Sequence, residues 1–173
     1  MNVVMKRRDV LALSLAAPAI LRAVPAGTLA SQMLPRWETS KKYTLEFLNK
    51  MPEEHYSFRP VPEINSFAQQ AVHIGEGNYL LASAVRGVTK PQEGPKQPSR
   101  ASILTFVAAS FDYGSATLSA LSDAAAGESV TFFGQKILKR ELCFRLLDHV
   151  AHHRGQMVIY LRLKGIVPPE YPG

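Results

Sequence analysis

From about residue 34 onward, apolar positions recur at helical spacing through most of the chain, and only one short window alternates. The first helical pattern covers residues 35–51, carries Trp37, Tyr43, Leu45, Phe47 and Leu48, and stops before Pro52. Residues 52–65 hold three prolines and no period, which predicts an ordered loop. Ser66 or Asn65 caps a second helix, with Ala71, Ile74 and Leu81 on one face, ending near Gly87. A Pro- and Gly-rich stretch, residues 90–98, leads to Ser99, which caps a third helix. Its core face runs through Ile103, Val107, Phe111 and Leu118 to about Asp123. Residues 126–135, with VTFF between Gly127 and Gly134, are the only β-like window. A fourth helix is expected from about Lys136 to Lys164, stopped by Gly165 with Pro168 beyond. These elements predict an all-α chain, an antiparallel four-helix bundle whose neighbouring helices pack at about 20°.

The fourth helix carries the candidate chemistry. Residues 149–156 read HVAHHRGQ. At about 100° per residue, His149 and His153 fall within roughly 20° of Leu142, on the stripe that Leu146, Val150, Met157, Tyr160 and Leu161 make apolar. His152 falls about 80° outside it. Two imidazoles one turn apart on an apolar face are either an internally hydrogen-bonded pair or half of a metal site, and the helix alone leaves both open. Zinc takes three or four ligands, so a third is needed. His73, beside Ile74 on the second helix, is the candidate, and the expectation is three inward-facing histidines from two helices.

Composition changes the picture mainly at the N-terminus. Residues 6–26 run basic, apolar, then small: Lys6, Arg7 and Arg8, an apolar stretch from Val10 to Leu21, then Val24 and Ala26. That order predicts a secretory signal over residues 1–26, cut near Ala26, with a linker over 27–33 and the bundle over 34–173. The paired arginines resemble the twin-arginine form, which implies export to the periplasm or beyond. The apolar run, broken by Pro18, is too short to span a bilayer of about 30 Å, so contact with a membrane is expected only through this segment if it stays uncleaved. The formal charge of +6 falls to +3 without the signal, with 16 basic and 13 acidic residues scattered over the helices. No basic run or aromatic interleaving points to nucleic acid. Cys143, the single cysteine, allows no intrachain disulfide and reads as a small core residue.

The combination of a histidine on the second helix with HxxxH and RGQ on the last resembles the DinB/YfiT-like family of metal-dependent enzymes. The closing run HRGQMVIYLRLKGIVPPEY from His153 and the segment FLNKMPEEHYSFRP from Phe47 carry the resemblance, which extends over residues 34–171. It implies a four-helix bundle, a divalent metal held by His73, His149 and His153, and a homodimer. Zinc is the first expectation, and nickel, iron and manganese also suit imidazole ligands.

Three histidines leave a coordination position open, the arrangement of catalytic zinc sites. Water held there loses about 8 units of pKa, and a thiol is deprotonated outright. The resemblance admits hydrolase or thiol-transferase chemistry on a small molecule, including a low-molecular-weight thiol; no substrate can be read. No glutamate lies inside HxxxH, so the metalloprotease motif is absent. Candidate pocket or supporting residues are Glu76 and Tyr79 on the second helix and Gln156 and Tyr160 on the fourth, with Gln156 orienting His153. Asp148 points about 120° away and is expected to pair with a basic neighbour. A non-catalytic metal-binding or dimerisation module, and a purely structural bundle, are the competing readings.

Overall fold

A computed structural model describes residues 27–172 apart from Lys90 and Gln97. The signal expected over residues 1–26 lies outside the described residues. Four long helices dominate: α1 (Leu29–Lys50), α2 (Phe67–Arg86), α3 (Arg100–Ala120) and, after a one-turn α4 (Asp123–Ala126) and a hairpin, α5 (Lys139–Leu163). Ser66 and Ser99 cap α2 and α3, each in a reciprocal capping box with the residue three positions on. The chain is an all-α bundle with a single two-stranded excursion.

Two boundaries differ markedly from the sequence reading. Helix α1 starts at Leu29, so the expected linker is largely helical and Pro35 sits inside the helix. Proline favours the first helical position, but here Thr28 caps the backbone N–H of Ser31, Asp123 accepts from the N–H of Leu29, and Met33 is buried. The β-like window is a hairpin, β1 (Ser129–Phe132) paired antiparallel with β2 (Gln135–Leu138), and its second strand takes residues that the helical pattern had assigned to α5. Its two-residue turn is Phe133-Gly134, with φ of 47° and 76°, the signature of a type I′ turn.

Side-chain contacts give the helix directions. Trp37 Nε1 donates to the Phe111 carbonyl and Arg100 reaches Asn49, so α1 and α3 are antiparallel. Gln70 meets Gln156 while His73 meets His149, so α2 and α5 are antiparallel too. On the remaining seams the helices run the same way. Gly75 faces Phe106 and Asn78 bonds Ser110 between α2 and α3. Thr39 and Ala151, then Thr44 and Arg154, adjoin between α1 and α5. The expected antiparallel packing thus holds across two of the four seams.

Parallel neighbours require a connection that travels back along the bundle. Helix α2 is about 30 Å long, and residues 87–99 can span that distance when extended. The contact of Gly94 with Val72 and Glu76, in the middle of α2, shows the return path. This overhand loop forms one wall of the site.

The core is one cluster built by all four helices. Trp37, Phe47, Phe67, Phe111, Leu142, Leu146 and Met157 are fully buried. Trp37 fits against Gly114, where a Cβ would come within 2.5 Å of the indole, and stacks obliquely on Phe111 at 4.6 Å. Cys143 is buried, and burial pushes its thiol up to about 11, as befits an inert core residue. No helix among the described residues is long and apolar enough to cross a membrane.

Candidate metal centre

The antiparallel seam between α2 and α5 brings His73, His149 and His153 together, with one ring nitrogen of each inside a span of 4.8 Å. Their ring centroids lie 4.4–5.1 Å apart. Gly77 makes the approach possible. A Cβ at this position would lie 2.1 Å from His149 Cε1 and 2.5 Å from its Nε2, so only glycine leaves room for the imidazole. A glycine inside a helix costs about 1 kcal/mol relative to alanine, and here the cost accompanies a close packing of ring on backbone.

The three rings are not equally inward, contrary to the expectation. His73 is exposed, while His149 and His153 are half-buried at the edge of the core. The cause is the setting of α5. Arg154, at about 120° from Leu142, is buried along with Cys143, Val150 and Leu161. The buried stripe is therefore centred further round than the apolar residues alone suggest, and the histidines fall on its margin.

The donor geometry fits a metal ion. His149 Nε2 lies 3.4 Å from His73 Nε2. Two ligands bound at 2.0–2.1 Å in a tetrahedral site are separated by about 3.3–3.4 Å. His153 Nδ1 lies 3.0 Å from Gln70 Oε1, an acceptor only, so Nδ1 carries the proton and Nε2 presents its lone pair. Gln70 is itself held by Gln156, whose Oε1 accepts from Gln70 Nε2 at 2.8 Å and whose Nε2 donates to His152 Nε2 at 3.0 Å. Burial first, and then repulsion from the neighbouring imidazoles, pushes His149 and His153 down to about 4. Both are neutral at pH 7, the state a metal ligand requires. His149 Nδ1 on this seam, and Asn78 Oδ1 on the α2–α3 seam, are buried without a hydrogen-bond partner among the described residues.

Beside the histidines opens a cleft of about 1000 Å³, with His73 and His149 at its floor and Leu80, Leu81, Phe132 and Phe133 among its apolar lining. The overhand loop contributes Pro91 and Glu93. Of the residues expected around the site, Glu76 lines this cleft, but its carboxylate accepts the Gly94 N–H at 3.2 Å and so ties down the loop. Tyr79 turns into the α2–α3 seam against Phe106 and Tyr113 and does not line the cleft. Tyr160 is buried, donates to the Asn65 carbonyl at 2.5 Å and packs on Phe58 and Phe67, which makes it a brace for the 52–65 connection. Gln156 reaches His153 through Gln70. Asp148 is exposed at the cleft margin and has no ion-pair partner among the described residues.

Gln70, Gly77, the phenylalanines of the hairpin and Arg154 were not singled out from the sequence. Gly77 could have been, because glycine inside a helical pattern, four residues after a candidate ligand, marks a close approach. Gln70, one turn before His73, had no signal beyond its spacing.

An all-α bundle carrying a three-histidine cluster between two of its helices is the class that fold and site define. The profile of the DinB family matches residues 25–172, and the chain belongs to that family. It is 21% identical to YjoA of Bacillus subtilis over 140 residues, covering 79% of this chain and 91% of that protein. YrdA of the same organism is 24% identical over 143 residues, covering 81% and 86%. Among solved structures, the DinB-like YjoA superposes with a TM-score of 0.70 over 81% of this chain and 96% of that one. A DinB-like protein from Bacillus cereus does so with 0.72 at 23% identity, covering 83% and 97%. At these identities the likeness concerns the fold.

Proposed function

We propose that this chain is a divalent-metal-dependent enzyme acting on a small molecule, of hydrolase or thiol-transferase type. The observation that carries the reading is that three imidazoles converge on one point beside an open cleft. A divalent ion there, zinc in the first instance, would supply the Lewis acidity that lowers the pKa of a water or thiol. His73, His149 and His153 would hold it. Gln70 and Gln156 would keep the lone pair of His153 aimed at it, and the apolar lining would exclude bulk water from the reacting group. Export through a twin-arginine signal, with folding and metal loading before transport, belongs to the same reading, as does a homodimer.

One observation favours a non-catalytic metal-binding module instead. Among the described residues no carboxylate joins the histidine cluster, and Glu76 is engaged by the loop. Metal analysis of purified protein, followed by ester-hydrolysis and thiol-transfer screens with and without chelator, separates the two. Chelator-sensitive turnover that disappears in His149→Ala is the expected result. Stoichiometric metal with no such turnover assigns the module, and protein that takes up no metal overturns both.

A further inference from the structure

The hairpin places two unfavourable features on one residue at the mouth of the cleft. Phe133 occupies the first position of the Phe133-Gly134 turn at a φ of 47°, a conformation that asparagine, aspartate and glycine adopt readily and a bulky side chain does not. Its side chain is 81% exposed, in ring contact only with Phe132 at 4.5 Å among the described aromatics. The fold gains neither a good turn nor a buried side chain from this phenylalanine. A residue that breaks local rules without a structural return marks a place selected for something else. Phe132 and Phe133 both line the cleft whose floor is His73 and His149.

The charges around the cleft narrow what can enter. Among the described residues, Glu76, Glu93 and Asp148 line it against one guanidinium, Arg145, which lies 3.7 Å from Glu141. In metal-free protein an anion would meet a net negative field from these residues, and a neutral or cationic molecule would not; a divalent ion on the histidines would offset that field at the head alone. A volume of about 1000 Å³ suits an organic molecule of ordinary size.

We propose that the hairpin tip is a specificity element: the cleft takes a neutral or cationic molecule with an aromatic or aliphatic body, which Phe133 covers while its head reaches the histidines. This rests on the metal-centre reading only for the head; the body is held by Phe132, Phe133, Leu80 and Leu81.

The test uses N-phenyl-1-naphthylamine, a neutral aromatic probe, and its sulfonated analogue 1-anilinonaphthalene-8-sulfonate, titrated by fluorescence with and without added zinc. In metal-free protein the neutral probe should bind more tightly than the anionic one. Phe133→Asn, which suits the turn, should weaken the neutral probe roughly tenfold, the size of one lost aromatic contact. Circular dichroism and zinc stoichiometry should stay as in the unaltered protein. If no zinc binds yet Phe133→Asn still weakens the probe, the metal reading fails and the hairpin assignment stands. Unchanged probe affinity in Phe133→Asn overturns the assignment, as does equal or tighter binding of the sulfonate to metal-free protein. Conversion of a dimer to a monomer by Phe133→Asn with probe affinity unchanged also overturns it, and makes the tip a self-association surface.

Discussion

Replacing Gly77 by alanine sets stability against metal binding, and the structure gives the sign of each. The new Cβ would stand 2.1, 2.5 and 2.7 Å from three ring atoms of His149, contacts that no small adjustment relieves. The ring must leave its place. Alanine is favoured over glycine inside a helix by about 1 kcal/mol. Freeing His149 Nδ1, buried without a partner, returns a further 1–3 kcal/mol, roughly, of desolvation cost. Lost packing around the displaced ring opposes these gains by about 1–3 kcal/mol. The metal-free variant should therefore stay folded, with stability between about 1 kcal/mol below and about 3 kcal/mol above the original and most of that range on the stabilised side. Metal binding has no such compensation. Disturbing a group that merely hydrogen-bonds a ligand costs about 10–100-fold in affinity, and here a ligand itself is displaced, so the loss should exceed about 100-fold. Chelator competition for zinc, alongside thermal melts of metal-free protein, reads both quantities. A Gly77→Ala protein that binds zinc with the original affinity would refute the assignment of His149 as a ligand.

Gln70→Ala should weaken zinc by about 10–100-fold without unfolding the bundle, because His153 loses the acceptor that fixes its tautomer; unchanged zinc affinity counts against this role. In metal-free protein, His149 and His153 titrate near 4 against about 6.5 when unfolded, so the unfolded chain binds more protons between those values. Stability should be level above pH 6.5 and fall as pH drops to about 4, by on the order of 1–2 kcal/mol after screening of the half-exposed rings. Urea melts across that range check it, and a flat profile contradicts it.

The helices were legible because their caps and stripes act locally. Ser66 and Ser99 satisfy the backbone donors that follow them wherever the rest of the chain goes, and Leu142, Leu146 and Val150 repeat with the period of a helix facing a core. The histidines of α5 were legible for the same reason. Their exact depth was not, since it depends on Arg154, a charge that periodicity assigns to water and that this bundle buries. The parallel seams were hidden as well. Helical spacing carries no direction, and the overhand path of residues 87–99 shows only once Gly94 is seen against the middle of α2. Tyr79 and Tyr160 lie near the histidines along their helices yet point into other seams, because neighbouring turns face different partners.

Arg154 is 9% exposed, its Nη1 donates to Ser40 Oγ at 3.0 Å and Thr44 Oγ1 at 3.2 Å, and its guanidinium lies over the Tyr43 ring at 4.6 Å. It follows His153 directly in the chain, about 100° round the helix, and grips α1 on a different seam of α5 from the cluster. That grip is a torsional lock. A histidine nitrogen stands roughly 6–7 Å from the helix axis, so turning α5 by about 10° would carry it about 1 Å sideways. An error of that size is enough to spoil a catalytic constellation. The aim of the histidines is thus set from another seam, by an arginine that never faces them, and a change in α1 at Ser40 or Thr44 would be felt across the bundle as misalignment at the cluster.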